Sequence, residues 1–253
     1  MALLACQTIG VDRFSTANIK SCEEYVRKMQ RKLDKAVASG DVKRIRWYVH
    51  LLNKRSRAVK VLAVYHVTSE NDGKYTAGVD SIAIKRNASK EVKDYQRRAR
   101  RKEIDVQKKP SPIRRVFIPK SNGKTRPLGI PIISDRIVQD IIRMSIEPIA
   151  EYHFHDNSYG FRPKRSCHDA IGHLFSKLSK RDSPQWIIEG DLKGCFDNIS
   201  HEHIIKTMFL WHIPKDIVEK VRKMFASPPR CKPFRRWHLL FCPTVRCPKR
   251  CHI

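Results

Sequence analysis

Apolar positions in the first part of the chain recur with a helical period. Between Ser21 and Gly40 they return every three or four residues, and Ser21 with Glu24 has the spacing of an N-terminal capping box. A second pattern of the same kind begins at Asp41 and continues to Leu52. The pattern predicts two consecutive amphipathic helices whose outer faces carry an excess of basic residues.

The next regular pattern is that of a β-hairpin. Residues 116–118 form a short apolar run typical of a strand, a Ser-Asn-Gly-Lys turn follows, and residues 128–130 return as the second strand. One helix is then predicted from Ser134, and another after the capping box that Ser166 forms with Asp169.

Composition adds a strong charge asymmetry. The 253 residues are 41% hydrophobic, which suits one large domain or two small ones with a real core. They include 52 Lys and Arg against 25 Asp and Glu, and the net charge of +27 favours a polyanion, above all nucleic acid, as partner. No apolar run is near the roughly 18–20 residues of a membrane-spanning helix, and no signal peptide is recognisable. We therefore expect a cytoplasmic protein with no membrane partner and with reduced cysteines.

The basic residues concentrate in three places. These are the predicted helical pair, residues 85–115 with thirteen Lys or Arg against four Asp or Glu, and the loop before Ser166. The candidates for RNA contact are Arg44, Arg55, Arg97, Arg98, Arg100, Arg101, Arg162, Lys164 and Arg165. The alternative interpretation of each cluster is a solvated charged surface.

The most informative stretch for chemistry is WIIEGDLKGCFDNISH, residues 186–201. Its apolar start predicts a buried strand, and Asp191 follows that strand closely. A carboxylate at a strand end that faces a cleft suits Mg²⁺, a hard cation that prefers oxygen ligands and substrate phosphates. The alternative is an ordinary helix cap or turn, and the neighbouring motifs decide between the two.

Four sequence blocks resemble, in order, those of the reverse transcriptases encoded by group II introns, also called intron-encoded maturases. LAVYHVTSENDGKYTAGVDSIAI (62–84) resembles the N-terminal block, RRVFIPKSNGKTRPLGIPIISDRIVQ (114–139) the fingers block, YGFRPKRSCHDAI (159–171) the next block, and EGDLKGCFDNISH (189–201) the first palm block. The helical pair before them resembles the family's N-terminal extension. Four blocks in this order are far more specific than one short motif.

The resemblance implies an α+β fold, namely an incomplete right-hand polymerase. Residues 1–80 would form the helical N-terminal extension, 81–225 the fingers and a partial palm, and 226–253 an irregular basic tail. The implied activity is that of an RNA-directed DNA polymerase, which extends a DNA primer with dNTPs on an RNA template, here intron RNA.

The resemblance also implies roles for single residues. Asp191 would be a catalytic aspartate that holds Mg²⁺ together with the backbone carbonyl of Leu192. Phe196 would pack under the incoming sugar and exclude a 2′-hydroxyl, which selects dNTPs. Lys120 and Arg126, on the two arms of the predicted hairpin, would hold the triphosphate.

The chain departs from the family pattern after the first palm block. The Tyr-x-Asp-Asp motif, which would supply partner carboxylates for two-metal catalysis, does not occur, and the final acidic residue is Glu219. Residues 222–253 hold nine Lys or Arg, five Pro and four Cys, a composition that favours neither helix nor strand. We therefore expect a shifted reading frame within residues 223–242 and a truncated enzyme that is inactive alone.

Several alternatives to an active polymerase stay open at this point. The chain is then a fragment that binds intron RNA without copying it, an inert remnant of a mobile element, or one part of an enzyme whose palm a second chain completes. For the tail, a zinc site competes with the shifted frame. Its candidate ligands are Cys231, Cys242, Cys247, Cys251 and His252, among which no Cys-x-x-Cys pair occurs.

Overall fold

Helices make up most of the described structure. The computed structural model describes residues 16–84, 104, 106, 108–119, 123, 125–192, 195–227, 229 and 230. The helices are α1 (Thr16–Ala38), α2 (Val42–His50), α3 (Arg57–Tyr65), α4 (Ile133–His153), α5 (Cys167–Leu178), α6 (Cys195–Asn198), α7 (His201–Leu210) and α8 (Lys215–Phe225). The strands are β1 (Ile113–Pro119), β2 (Thr125–Ile130) and β3 (Pro229–Arg230). Within the described ranges, no helix is both long enough and apolar enough to span a bilayer.

The predicted helical pair is confirmed as α1 and α2. Helix α1 begins at Thr16 instead of at a Ser21 cap, because Ile19 continues the buried stripe toward the N-terminus. Gly40 makes the turn after α1 with a φ of +66°, a conformation that glycine adopts without strain. The carboxylate of Asp41 then caps α2 by accepting the Arg44 N–H at 3.0 Å, as the sequence indicated.

Helix α3 lies between two π-helical turns, Leu51–Arg55 and His66–Glu70. The Ser56 hydroxyl separates α3 from the first turn and caps the helix by accepting the Val59 N–H at 3.2 Å. Turns of this kind are rare and frequently lie near functional sites. The second π-helical turn borders the cleft described below.

One hydrophobic core joins the two ends of the described chain. Helices α1–α3 pack on α4, and buried residues of α7 and α8 belong to the same cluster. Its most deeply buried members include Leu33, Leu52, Val59, Val64, Ile137, Ile141, Ile149, Ile217 and Val218. An ion pair at 2.6 Å between Lys54 and Asp216 links the first π-helical turn to α8. The core therefore crosses the boundary predicted at residue 80.

The predicted β-hairpin is confirmed as β1 and β2, which pair antiparallel. The register places Ile118 opposite Arg126 and Val116 opposite Leu128. Strand β3 adds a short parallel pairing on the other side of β1, so the sheet order is β2-β1-β3. Most residues of the two strands are exposed, and among these strand residues only Ile130 at the base of the hairpin is fully buried.

The prediction of a buried strand before Asp191 is wrong. Residues 186–192 have no regular secondary structure and pair with no strand in the described structure, and Trp186 and Ile188 are 91% and 99% exposed. A strand gains its backbone hydrogen bonds from a neighbour. The three-stranded sheet lies elsewhere in the chain, so the apolar pattern alone did not produce a strand here.

Candidate nucleic-acid and nucleotide site

Asp191 lies on the protein surface in the irregular segment of residues 186–192. Its side chain and that of Leu192 are exposed, and the Leu192 carbonyl accepts the Cys195 N–H at 3.2 Å, where α6 begins. The oxygen donors of this pair fit Mg²⁺ in kind. The pair supplies only two kinds of oxygen ligand. The described residues contain no group of three or more His, Cys, Asp or Glu side chains able to hold a metal ion.

The other predicted nucleotide ligands are only partly described. Arg126 is exposed on β2 opposite Ile118. Lys120 and the side chain of Phe196 lie outside the described residues, as do the predicted RNA contacts at residues 97–101. Of these three residues the structure describes only the Arg126 side chain, so the predicted nucleotide-binding roles stay predictions.

The predicted RNA-binding residues fall into two groups. Arg44, Arg55 and Lys164 are exposed, and Arg165 is half-buried with its guanidinium over the Tyr159 ring at 5.5 Å. Arg162 differs, because only 5% of its side chain is exposed. The Arg162 guanidinium donates to both carboxylate oxygens of Glu151 and to two backbone carbonyls.

These contacts give Arg162 a structural task. Its Nη1 donates at 2.8 Å to the carbonyls of both His155 and Ser158, and its Nη2 donates at 2.9 Å to Glu151. The side chain thus fastens the loop after α4 to the helix itself. The RNA contact predicted for Arg162 is not supported by this geometry, since most of its donors are already engaged within the protein.

A second arginine, Arg136 at the start of α4, fixes the loop of residues 71–78. Its guanidinium donates to the carbonyls of Gly73 and Thr76, both at 2.7 Å, and to Pro131 at 2.9 Å. Burial lowers its pKa from the usual arginine value. Sequence reasoning missed this residue, because nothing in the local pattern separates it from the other basic residues.

The same loop approaches the chain before α4 closely. A Cβ on Gly78 would lie 2.7 Å from the Ile132 side chain and 2.8 Å from its backbone. Arg114 on β1 adds another contact by donating to the Ala77 carbonyl at 2.9 Å. Two arginines and one glycine therefore hold the loop against the hairpin and α4.

An open cleft of about 1020 Å³ lies between the second π-helical turn, this loop, the end of β2 and α4. At its side the His66 Nδ1 lies 2.9 Å from an Asp140 carboxylate oxygen, and Arg143 donates to the other oxygen at 2.8 Å. The hydrogen bond with Asp140 raises the pKa of His66. Burial alone would raise the pKa of Asp140, but the hydrogen bonds and charges of His66 and Arg143 have the larger effect. The pKa of Asp140 is therefore lowered.

Comparison with known proteins shows two matching families. Residues 14–97 match the N-terminal domain of reverse transcriptase, and residues 118–240 match reverse transcriptase (RNA-dependent DNA polymerase). The loop of residues 71–78, strand β2, the residues that line the cleft and Asp191 fall within these two regions. The two matches together identify the chain as a protein of the reverse transcriptase class.

Three similar proteins show which kind of reverse transcriptase this chain resembles. Protein YkfC of Escherichia coli (strain K12) is 37% identical over 185 residues, which are 72% of this chain and 48% of the relative. Group II intron-encoded protein LtrA of Lactococcus lactis is 48% identical over 99 residues, 38% of this chain and 16% of the relative. An uncharacterized 91 kDa protein in the cob intron of Schizosaccharomyces pombe is 39% identical over 113 residues, 45% and 14% of the two chains.

The chain belongs to the group II intron reverse transcriptase and maturase family. It spans about half the length, or less, of these three curated relatives. The family match also continues to residue 240, past the boundary predicted at 225. The shifted reading frame and the zinc-binding tail both stay predictions, because residues 231–253 lie outside the described structure.

Proposed function

We propose that this chain supplies the template-binding and nucleotide-binding part of an RNA-directed DNA polymerase, which adds dNTPs to a DNA primer on an RNA template. The observation that carries the proposal is the presence of both reverse transcriptase regions in order, with Asp191 on the surface of the second. The formal charge of +27 provides the attraction to nucleic acid that both substrates require.

In this proposal each candidate residue has a defined task. Asp191 and the Leu192 carbonyl would hold Mg²⁺, which supplies charge neutralisation at the phosphorus under attack. Arg126 and Lys120 would bind the triphosphate through charge-assisted hydrogen bonds. Phe196 would exclude a 2′-hydroxyl by occupying the space beneath the sugar.

The exposed apolar side chains of α5 and of residues 186–188 support a further requirement. Helix α5 has no buried residue, and four of its apolar side chains recur at helical spacing on one side: Ile171, Leu174, Phe175 and Leu178. Trp186, Ile187 and Ile188 are also exposed. We propose that another polypeptide segment covers these side chains and completes the palm, because large exposed apolar patches mark sites of protein interaction.

The second candidate function is RNA binding without polymerisation. Two observations favour it. The basic α1–α2 pair is packed into the core, and the part of the chain that the structure describes holds no group of three or more His, Cys, Asp or Glu side chains for a metal ion. Residues 16–57 hold twelve Lys or Arg against four Asp or Glu, most of them on the protein surface. Such a surface binds RNA whether or not the palm is complete.

Binding and extension of one labelled primer–template separate these functions. We expect the 253-residue chain to bind a DNA primer annealed to an RNA template, but not to extend it with dNTPs and Mg²⁺. Extension after addition of a palm-completing polypeptide, abolished by Asp191→Asn, supports the polymerase. Binding with no extension under any of these conditions supports the second candidate, and failure to bind contradicts both.

A further inference from the structure

A large aromatic side chain stands on the basic outer surface of the helical pair. Trp47 lies in the middle of α2, where Ile45 and Val49 are buried in the core, yet 56% of Trp47 itself is exposed. Tryptophan is a costly residue to leave in water, because its rings bury a large apolar area when they are covered. We therefore consider a ligand that covers the exposed part of Trp47.

Positive charge surrounds this tryptophan on α2. Lys43 and Arg44 precede Trp47 by four and three residues, so they are its neighbours on the helix surface. Arg46 is also exposed, and neither it nor Lys43 forms an ion pair with a described carboxylate. Residues 41–57 hold six Lys or Arg and one acidic residue, Asp41, which pairs with Arg44 at 3.3 Å.

The indole is held in place by its neighbour. Tyr48 is half-buried against the core, and its ring meets Trp47 in a T-shaped contact with centroids 4.7 Å apart and an interplanar angle of 81°. A T-shaped contact engages at most one face of the indole. The other face stays available for a flat ligand, and the ordering of the ring lowers the entropy lost on binding.

We propose that Trp47 stacks on an unpaired base of single-stranded RNA, while Lys43, Arg44 and Arg46 contact the adjoining phosphates. The choice of RNA rests on the function proposed above, and the charge around Trp47 supports it independently. Single-stranded RNA fits better than a duplex, because a base must leave its own stack before it can lie on an aromatic side chain. An acidic protein would satisfy the cations but would leave the flat aromatic face unused.

The test compares binding of a fluorescently labelled single-stranded RNA oligonucleotide with binding of an RNA duplex of the same length. We expect Trp47→Ala in the full chain to weaken single-strand binding about tenfold, within the range found for base–aromatic stacking. Trp47→Phe keeps a stacking surface and should lose about threefold or less. Duplex affinity should change less than about twofold in both variants.

A matched control and a second readout keep the outcome specific. Tyr152 on α4 is also 56% exposed and also touches a neighbouring ring, so Tyr152→Ala removes a comparable aromatic surface and should change neither affinity. The salt slope of RNA binding should be unchanged in Trp47→Ala, but shallower by about 0.7 in Lys43→Ala, because Lys43 contacts a phosphate in the proposal and Trp47 does not.

Three results would overturn the proposal. These are unchanged single-strand affinity in Trp47→Ala, an equal loss on the duplex, and an equal loss in Tyr152→Ala. Thermal unfolding of Trp47→Ala should match that of the parent chain, since the side chain lies outside the core. If the parent chain binds primer–template and Trp47→Ala leaves single-strand affinity unchanged, only this inference fails. If it binds no nucleic acid, the proposed function fails with it.

Discussion

The clamp formed by Arg136 gives a sharp prediction about how the loop of residues 71–78 is held. Arg136→Met keeps most of the aliphatic stem but removes the donors to the carbonyls of Gly73, Thr76 and Pro131. Hydrogen bonds from a charged donor contribute about 1.5–3 kcal/mol each when buried. Arg136 is half-buried and water can reach the freed carbonyls, so we take about 1 kcal/mol for each bond, or about 3 kcal/mol in all.

Two measurements check this value. Urea unfolding should show a loss of about 3 kcal/mol in Arg136→Met, a large fraction of the roughly 5–15 kcal/mol that stabilises a typical domain. Amide hydrogen exchange in residues 71–78 should be faster in Arg136→Met than in the parent chain, while exchange in α1 should change much less. Gly78→Ala should produce the same local change, because its Cβ would lie 2.7 Å from Ile132.

Arg115→Met is the matched control, since Arg115 is exposed on β1 and the change removes the same charge. It should alter the unfolding free energy by less than about 0.5 kcal/mol. If Arg136→Met is equally mild, and exchange in the loop is unchanged, the three hydrogen bonds do not hold the loop and the reasoning is refuted.

Three further predictions concern pH, the core and the exposed surface. The pKa of His66 is raised, so its pairing with Asp140 stabilises the fold at pH values below the unfolded-state pKa near 6.5. This contribution is lost as the pH rises through the folded-state pKa. In urea unfolding from about pH 5.5 to 8, His66→Phe should therefore make the unfolding free energy less dependent on pH. Leu33→Ala, at a fully buried site, should lose about 2–5 kcal/mol of unfolding free energy, whereas Leu210→Ala, 75% exposed, should lose less than about 0.5 kcal/mol. Phe175→Ser should reduce self-association in light scattering without lowering the midpoint of thermal unfolding; a clear loss of stability would show that α5 is packed.

Local signals were the ones that the sequence revealed correctly. The helical pair, the hairpin and the Ser166–Asp169 capping box depend on residues a few positions apart, and the structure confirms all three. Each consists of hydrogen bonds or side-chain spacings that a short segment makes by itself. The turn at Gly40 followed by the Asp41 cap belongs to the same category.

Contacts between distant residues were not visible in the pattern. The strand predicted at residues 186–188 failed, because a strand depends on a neighbour that the local sequence does not identify. The internal roles of Arg136 and Arg162 were missed for a similar reason, since a clamping arginine and an RNA-binding arginine have the same local signature. Ile217 is buried in the same core as the N-terminal helices, and its local sequence does not show which distant residues it packs with.

The most direct test of the account is the affinity of the whole chain for an RNA template annealed to a DNA primer, measured by fluorescence anisotropy over a series of salt concentrations. The account predicts binding that weakens steeply with salt, by about 0.7–0.9 logarithmic units for each phosphate contact, with a total slope of several units. Absence of binding at low salt, or an affinity that does not change with salt, would contradict it.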